Sequence, residues 1–196
     1  MSTARIADFF FELGTMRKLA RMHRQLLITD DISDNIASHS FRVAMIGWVL
    51  AKEEGADPYK VMGMCLVHDL GEIRSGDHNW LHKRYVKIDE TEITRDQLGS
   101  LPHQDMYDLA TEYEARQSAE SVIAKDADLT DQILLLREYA HQGNREAQIW
   151  LDGKRSGEGN TYIEKMQTTS AKKIAGEIMN SGPSDWWKNL WTSESK

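Results

Sequence analysis

The sequence is short of cysteine: Cys65 is the single one among 196 residues. That excludes an intramolecular disulfide and a cage of thiolate metal ligands, and it fits a reducing compartment. Proline is scarce as well, with only Pro58, Pro102 and Pro183, each standing where a helix would begin or where two helices would part. Positive charge is in deficit: 24 Lys and Arg against 31 Asp and Glu leave a net charge of −7. This opposes nonspecific attraction to a polyanion, so a nucleic acid polymer is not the expected partner, while a local basic pocket for a small phosphate stays compatible. No apolar run approaches the roughly 20 residues that span a bilayer. Near the amino terminus Phe9-Phe10-Phe11 sits between Asp8 and Glu12 rather than behind a basic segment, unlike a secretion signal. The expectation is a soluble, cytoplasmic protein with no membrane partner, long enough for one compact domain.

Also missing are internal repeats and any long alternation of apolar and polar residues, whereas three- and four-residue apolar spacing recurs throughout. Ile6, Phe9, Phe10, Leu13, Met16 and Leu19 predict one helix over residues 4–26, followed by a polar connection around Asp30, Asp31, Ser33, Asp34 and Asn35. Val43, Ile46, Gly47 and Leu50 predict a helix from Ser38 to about Glu54, closed by Gly55, with His39 in its first turn. A third helix runs from about Pro58 to Gly71 and presents His68 on the apolar face of Val61, Met64 and Cys65. Residues 73–84 read as a loop, 103–117 as a helix, and 118–141 as the longest helix. A flexible connection over 152–160 and a helix over 162–180 follow, then a tail containing Trp186, Trp187 and Trp191, residues suited to capping the core or a dimer contact. The class is all-α.

Four residues stand out when taken together: His39, His68, Asp69 and Asp128. Singly each has a plainer explanation. A histidine on an apolar face is more often a satisfied core group, an adjacent His-Asp pair is common, and Asp126 and Asp131 rival Asp128. A shared metal between helices of a bundle is the one explanation that covers all four. Two imidazoles and two carboxylates suit Mn, Co, Fe, Ni or Zn better than Mg, which prefers oxygen throughout. Glu72, three residues after Asp69, is a candidate acid or base beside such an ion, against the alternative of a solvated helix end. Asp77, after Gly76, is a candidate second acid or sugar-hydroxyl acceptor, or a plain turn residue. Arg17, Lys18, Arg21 and Arg24 form a basic run in an acidic chain, and one member could grip phosphate with a guanidinium fork.

The segments Ala37-Ser38-His39-Ser40-Phe41-Arg42, His68-Asp69-Leu70-Gly71-Glu72 with Ser75-Gly76-Asp77, Glu112-Tyr113-Glu114 and Lys125-Asp126-Ala127-Asp128 resemble the HD-domain metal-dependent phosphohydrolases. The chain is most similar to their small 5'-deoxynucleotidases of the YfbR type. The resemblance covers residues 10 to 140. It implies a single-domain all-α HD-type helical bundle; the domain is expected over about 1–180 with a Trp-rich tail at 181–196, the part beyond about 150 lying outside the resemblance. It further implies a divalent metal held by His39, His68, Asp69 and Asp128, with Glu72 and Asp77 as catalytic or substrate-contacting acids. The expected reaction is removal of phosphate from a deoxynucleoside 5'-monophosphate by a homodimer, with Arg21 and Arg24 competing for the phosphate. The family's tryptophan near that arginine is absent from Arg21-Met22-His23-Arg24-Gln25, which leaves base and sugar preference open. The alternatives are a deoxynucleoside triphosphate triphosphohydrolase and a noncatalytic nucleotide-binding protein with a structural metal.

Overall fold

A computed structural model of the chain describes residues 3–154 and 161–190, so most of the expected 152–160 connection, and Trp191, lie outside the described residues. In chain order the helices are α1 (Thr3–Leu13), α2 (His23–Leu27), α3 (Ile36–Glu54), α4 (Pro58–Val67), α5 (Glu72–Ser75), α6 (Trp80–Lys83), α7 (Glu90–Leu98), α8 (Gln104–Ala115), α9 (Ala119–His141), α10 (Arg145–Leu151), α11 (Tyr162–Lys165) and α12 (Thr169–Asn180). Among the described residues no strand forms; Ala20 and Asn35 make an isolated antiparallel bridge. No helix of the described chain is long and apolar enough to cross a membrane.

Local chemistry sets the ends of the two helices that matter most. Asn35 and Ser38 form a reciprocal capping box at the start of α3, and Gly55, at φ 72°, closes it in the left-handed region. Asp57 caps α4, with Pro58 in its first turn. The two helices approach closely at Gly47: a Cβ there would meet Cys65 Sγ at 2.7 Å and Val61 Cγ1 at 3.0 Å. The long helix α9 packs against α3, α4, α8, α10 and α12, and Leu50, Val61, Met64, Cys65, Ala124, Ala127 and Leu136 are sealed in the main core.

A second, smaller core gathers Phe9, Met16, Ile36, Val67, Leu70, Leu98 and Leu101 under the amino-terminal segment and α7. The chain crosses between the two cores several times; two of the crossings lie between Ile36 and Val43 on α3, and between Cys65 and Val67–Leu70 beyond the end of α4. His39 lies at the former and His68-Asp69 at the latter.

The helix expected over 4–26 is broken. It ends at Leu13, passes through a 3-10 turn at Met16–Lys18 and resumes as α2. Phe9 and Met16 still bury in the same small core, so the apolar spacing survives a bent path. The 162–180 helix is likewise split at Met166–Thr168, because Asp126 takes the backbone N–H groups of Gln167 and Thr168. Trp186 and Trp187 do not cap the core: they are 73% and 48% exposed and pack edge to face on each other.

Candidate metal centre

After α4 the backbone continues through tight i to i−3 hydrogen bonds, Leu70 to Val67, Glu72 to Asp69 and Ile73 to Leu70. The helix expected to run to Gly71 therefore ends at Val67, and the turn that follows aims His68 and Asp69 together at α3. His39 Nε2 lies 3.3 Å from His68 Nε2, 3.3 Å from Asp69 Oδ2 and 3.4 Å from Asp128 Oδ1. His68 Nε2 lies 3.2 Å from the same Asp69 oxygen. The ligand atoms of His39, His68 and Asp69 all fall within 4.8 Å of one another, and Asp128 joins the group through His39.

The outer side of each ring is held. His39 Nδ1 is 2.7 Å from Asp131 Oδ2, and His68 Nδ1 is 2.8 Å from the Cys65 carbonyl oxygen. With Nδ1 donating in both, each Nε2 is left to face the centre, as imidazole metal ligands require. This donor set fits a divalent cation. Burial and the Arg21 charge pull the His39 value down, yet the bonds to Asp131 and Asp69 outweigh them and lift it to about 9. Burial would raise Asp69, but His68 and His39 hold it well below the usual carboxylate range. Asp128 is likewise held low against its burial by Lys125 and the two imidazoles.

The three acids of α9 that rivalled one another in the sequence have separate tasks. Asp126 caps the chain before α12 through Gln167 and Thr168. Asp128 faces the centre and takes Lys125 Nζ at 2.7 Å on its other oxygen. Asp131 carries His39 and also accepts from Arg42 Nε, while Arg42 Nη1 bonds Glu138 at 2.7 Å. The role of Asp131 as the support of His39 was not assigned from sequence. The signal was available: Asp128 and Asp131 are three residues apart and share a face.

A cavity of about 440 Å3 opens beside the centre, bounded among others by Arg21, Glu72, Asp77, Trp80, Arg116 and Asp128. Arg21 is 7% exposed; its Nη2 contacts His23 Nε2 at 3.1 Å and Gln132 Oε1 at 3.5 Å, while Nε and Nη1 have no hydrogen-bond partner. Burial opposes its charge, but Asp69 and Asp128 keep it cationic. Arg24, by contrast, is not among the cavity residues and lies near Asp31; Arg17 and Lys18 are exposed. The segment expected as a loop over 73–84 holds two short helices and anchors Arg21. Gly76 adopts φ 81°, open to glycine but not to side chains, and Asp77 then accepts the Met22 N–H. Asn79 donates to the Met22 carbonyl and to Gln25 Oε1, at 3.0 and 2.9 Å. Burial, with Asp69 and Asp77 nearby, pushes Glu72 up to about 10, and its Oε2 has no partner.

A family model described as HD domain matches residues 16–170. The chain is 29% identical over 152 residues to 5'-deoxynucleotidase HDDC2 of Dictyostelium discoideum, covering 69% of this chain and 77% of that protein. It is 26% identical over 143 residues to the human 5'-deoxynucleotidase HDDC2, covering 68% of each. A predicted metal-dependent phosphohydrolase from Magnetospirillum magnetotacticum superposes with a TM-score of 0.66 at 22% identity over 90% of both chains.

Proposed function

The chain belongs to the HD domain family, and from that premise we propose that it is a metal-dependent phosphohydrolase that removes phosphate from deoxynucleoside 5'-monophosphates. The observation that carries the reading is the pairing of two Nε2 atoms and two carboxylates with a buried arginine on the same cavity. The named relatives support the nucleotide substrate.

His39, His68, Asp69 and Asp128 would hold a divalent cation, which supplies Lewis-acid neutralisation of phosphoryl charge. Arg21 lines the cavity as a buried cation with Nε free of a hydrogen bond, Nη1 facing Asp131 Oδ2 at 4.0 Å and Nη2 set by His23 and Gln132, so its charge is positioned for a phosphate oxygen. In the metal-free protein burial, with Asp69 and Asp77, pushes the Glu72 carboxyl up, which suits it to give a proton to the departing sugar oxygen, and water takes the phosphorus side of the broken P–O bond. Asp77 spends one oxygen on Met22, leaving the other for a sugar hydroxyl. Trp80, exposed at the cavity, offers a ring on which a base can stack. A cavity of this size lies within the range of about 300–1,000 Å3 common for small-molecule sites.

The test is phosphate release from a panel of nucleotides by metal-stripped protein reloaded with Mn, Co or Mg, beside Asp69→Asn. Metal-dependent release from dAMP, lost in the variant while its circular dichroism is retained, is expected. Release of triphosphate from dATP without action on dAMP would replace this reading by a triphosphohydrolase.

A further inference from the structure

The reaction above leaves one wall of the cavity unused. Arg116 ends α8 at φ 52°, a left-handed backbone that side chains other than glycine adopt only when their surroundings enforce it. Its guanidinium lies 3.3 Å over the Tyr113 ring, which meets His68 edge to face at 5.2 Å. That stack removes rotamer freedom from the fork and ties it to the metal-centre wall. Nη1 is buried with no hydrogen-bond partner, and Nη2 reaches Glu114 Oε1 only at 4.0 Å. Arg42 and Arg74, which serve the fold, sit on carboxylates at 2.7 and 2.6 Å. Arg116 instead lies on Tyr113 at the cavity wall, with Nη1 unpartnered and, among the described residues, no carboxylate within 3 Å.

Lys125 lines the same cavity and lies close enough to Arg116 to feel its charge. Arg21 engages α9 at Gln132, seven residues beyond Lys125 and thus about 10 Å further along the helix axis. The two cationic groups are presented to different parts of an occupant. Resting on the phosphohydrolase reading and revising its plain monophosphate substrate, we propose that Arg116, seconded by Lys125, receives a second anionic group, so that the cavity accepts dAMP but favours a nucleotide bearing a phosphoryl group besides the one removed. That group is carried either on the sugar, as a dianionic monoester, or within a phosphate chain, as a monoanionic unit; both present phosphoryl oxygens to the fork.

The test compares wild type with Arg116→Gln on dAMP, deoxyadenosine 3',5'-bisphosphate and dADP. The preference in kcat/KM for one of the doubly phosphorylated substrates over dAMP is expected to fall at least tenfold in the variant, and the substrate that shows the fall identifies the source. Equal losses on all three, or no loss, overturn the proposal. Calorimetric binding of deoxyadenosine 3',5'-bisphosphate and of pyrophosphate to the metal-loaded protein is measured beside the turnover. If wild type hydrolyses no nucleotide, the phosphohydrolase reading fails alone. Tighter binding of these probes than of inorganic phosphate, lost in Arg116→Gln, then still upholds the second subsite, and its absence refutes it.

Discussion

Asp131 is the sharpest place to test the centre, because it supports a ligand without facing the cavity. One oxygen takes His39 Nδ1 at 2.7 Å and the other takes Arg42 Nε, and the residue is 2% exposed. In Asp131→Asn the volume is kept, while the negative charge that raises the basicity of His39 is lost. Loss of such an outer partner weakens metal affinity by roughly 10- to 100-fold, equivalent to about 1.4–2.8 kcal/mol. Asp126→Asn is the control: it is equally buried on the same helix, but its oxygens hold Gln167 and Thr168. It should cost about 1–3 kcal/mol in urea unfolding and leave metal affinity unchanged. Chelator competition with Mn or Co measures the affinities. If Asp131→Asn binds the ion within twofold of wild type, or if Asp126→Asn weakens it as much, the assignment of separate tasks to the two acids is wrong.

Arg21→Gln is expected to lower kcat/KM on a nucleotide about 100-fold or more, whereas Arg24→Gln stays within threefold; equal effects would remove the phosphate role from Arg21. His39 is lifted from its ordinary value of 6.5 to about 9 in the metal-free protein, so an ion binding at pH 7.5 displaces about one proton. Calorimetry in two buffers of different ionisation enthalpy counts that proton, and a count of zero refutes the shift. The sign also fixes stability: the His39 contribution is complete below pH 6.5 and is lost as pH rises through about 9. Gly47→Ala places a Cβ 2.7 Å from Cys65 Sγ and should destabilise by roughly 1–3 kcal/mol; adding Cys65→Ala should recover part of this in urea melts, and strict additivity would contradict the close approach. Finally, α3 exposes Phe41, Met45, Trp48 and Val49 on one side, and we propose that this face pairs with a second copy. Light scattering should give a dimer that Trp48→Glu converts to monomer, and a monomeric wild type ends the idea.

The long helices were legible because burial on one face leaves a three-to-four spacing that local chemistry then punctuates, as Asn35, Gly55, Asp57 and Ser118 do. The same spacing misled at the amino terminus, where Leu13, Met16 and Leu19 keep their period although the chain turns between them. The seven-residue α10 carried too little apolar pattern to be read. His39, His68, Asp69 and Asp128 could be singled out because one kind of ligand atom explains them all. Which basic residue faces them could not, since Arg21 and Arg24 differ only in what Asp77 and Asn79 do to the backbone between them. Arg116 left no trace at all: a cation laid on a ring by a left-handed residue has no periodicity.

Both histidines occupy places where the chain passes from one apolar cluster to the other. An ion at that place would act as a cross-brace between the two clusters. Slippage of one cluster against the other would spread His39, His68 and Asp69 apart at once, so the grip on the ion fails as a unit, not donor by donor. Tightness of metal retention and stiffness of the joint are then one mechanical property measured in two ways, and a core substitution away from the cavity, at Phe9 or Leu136, would reach the reaction through it.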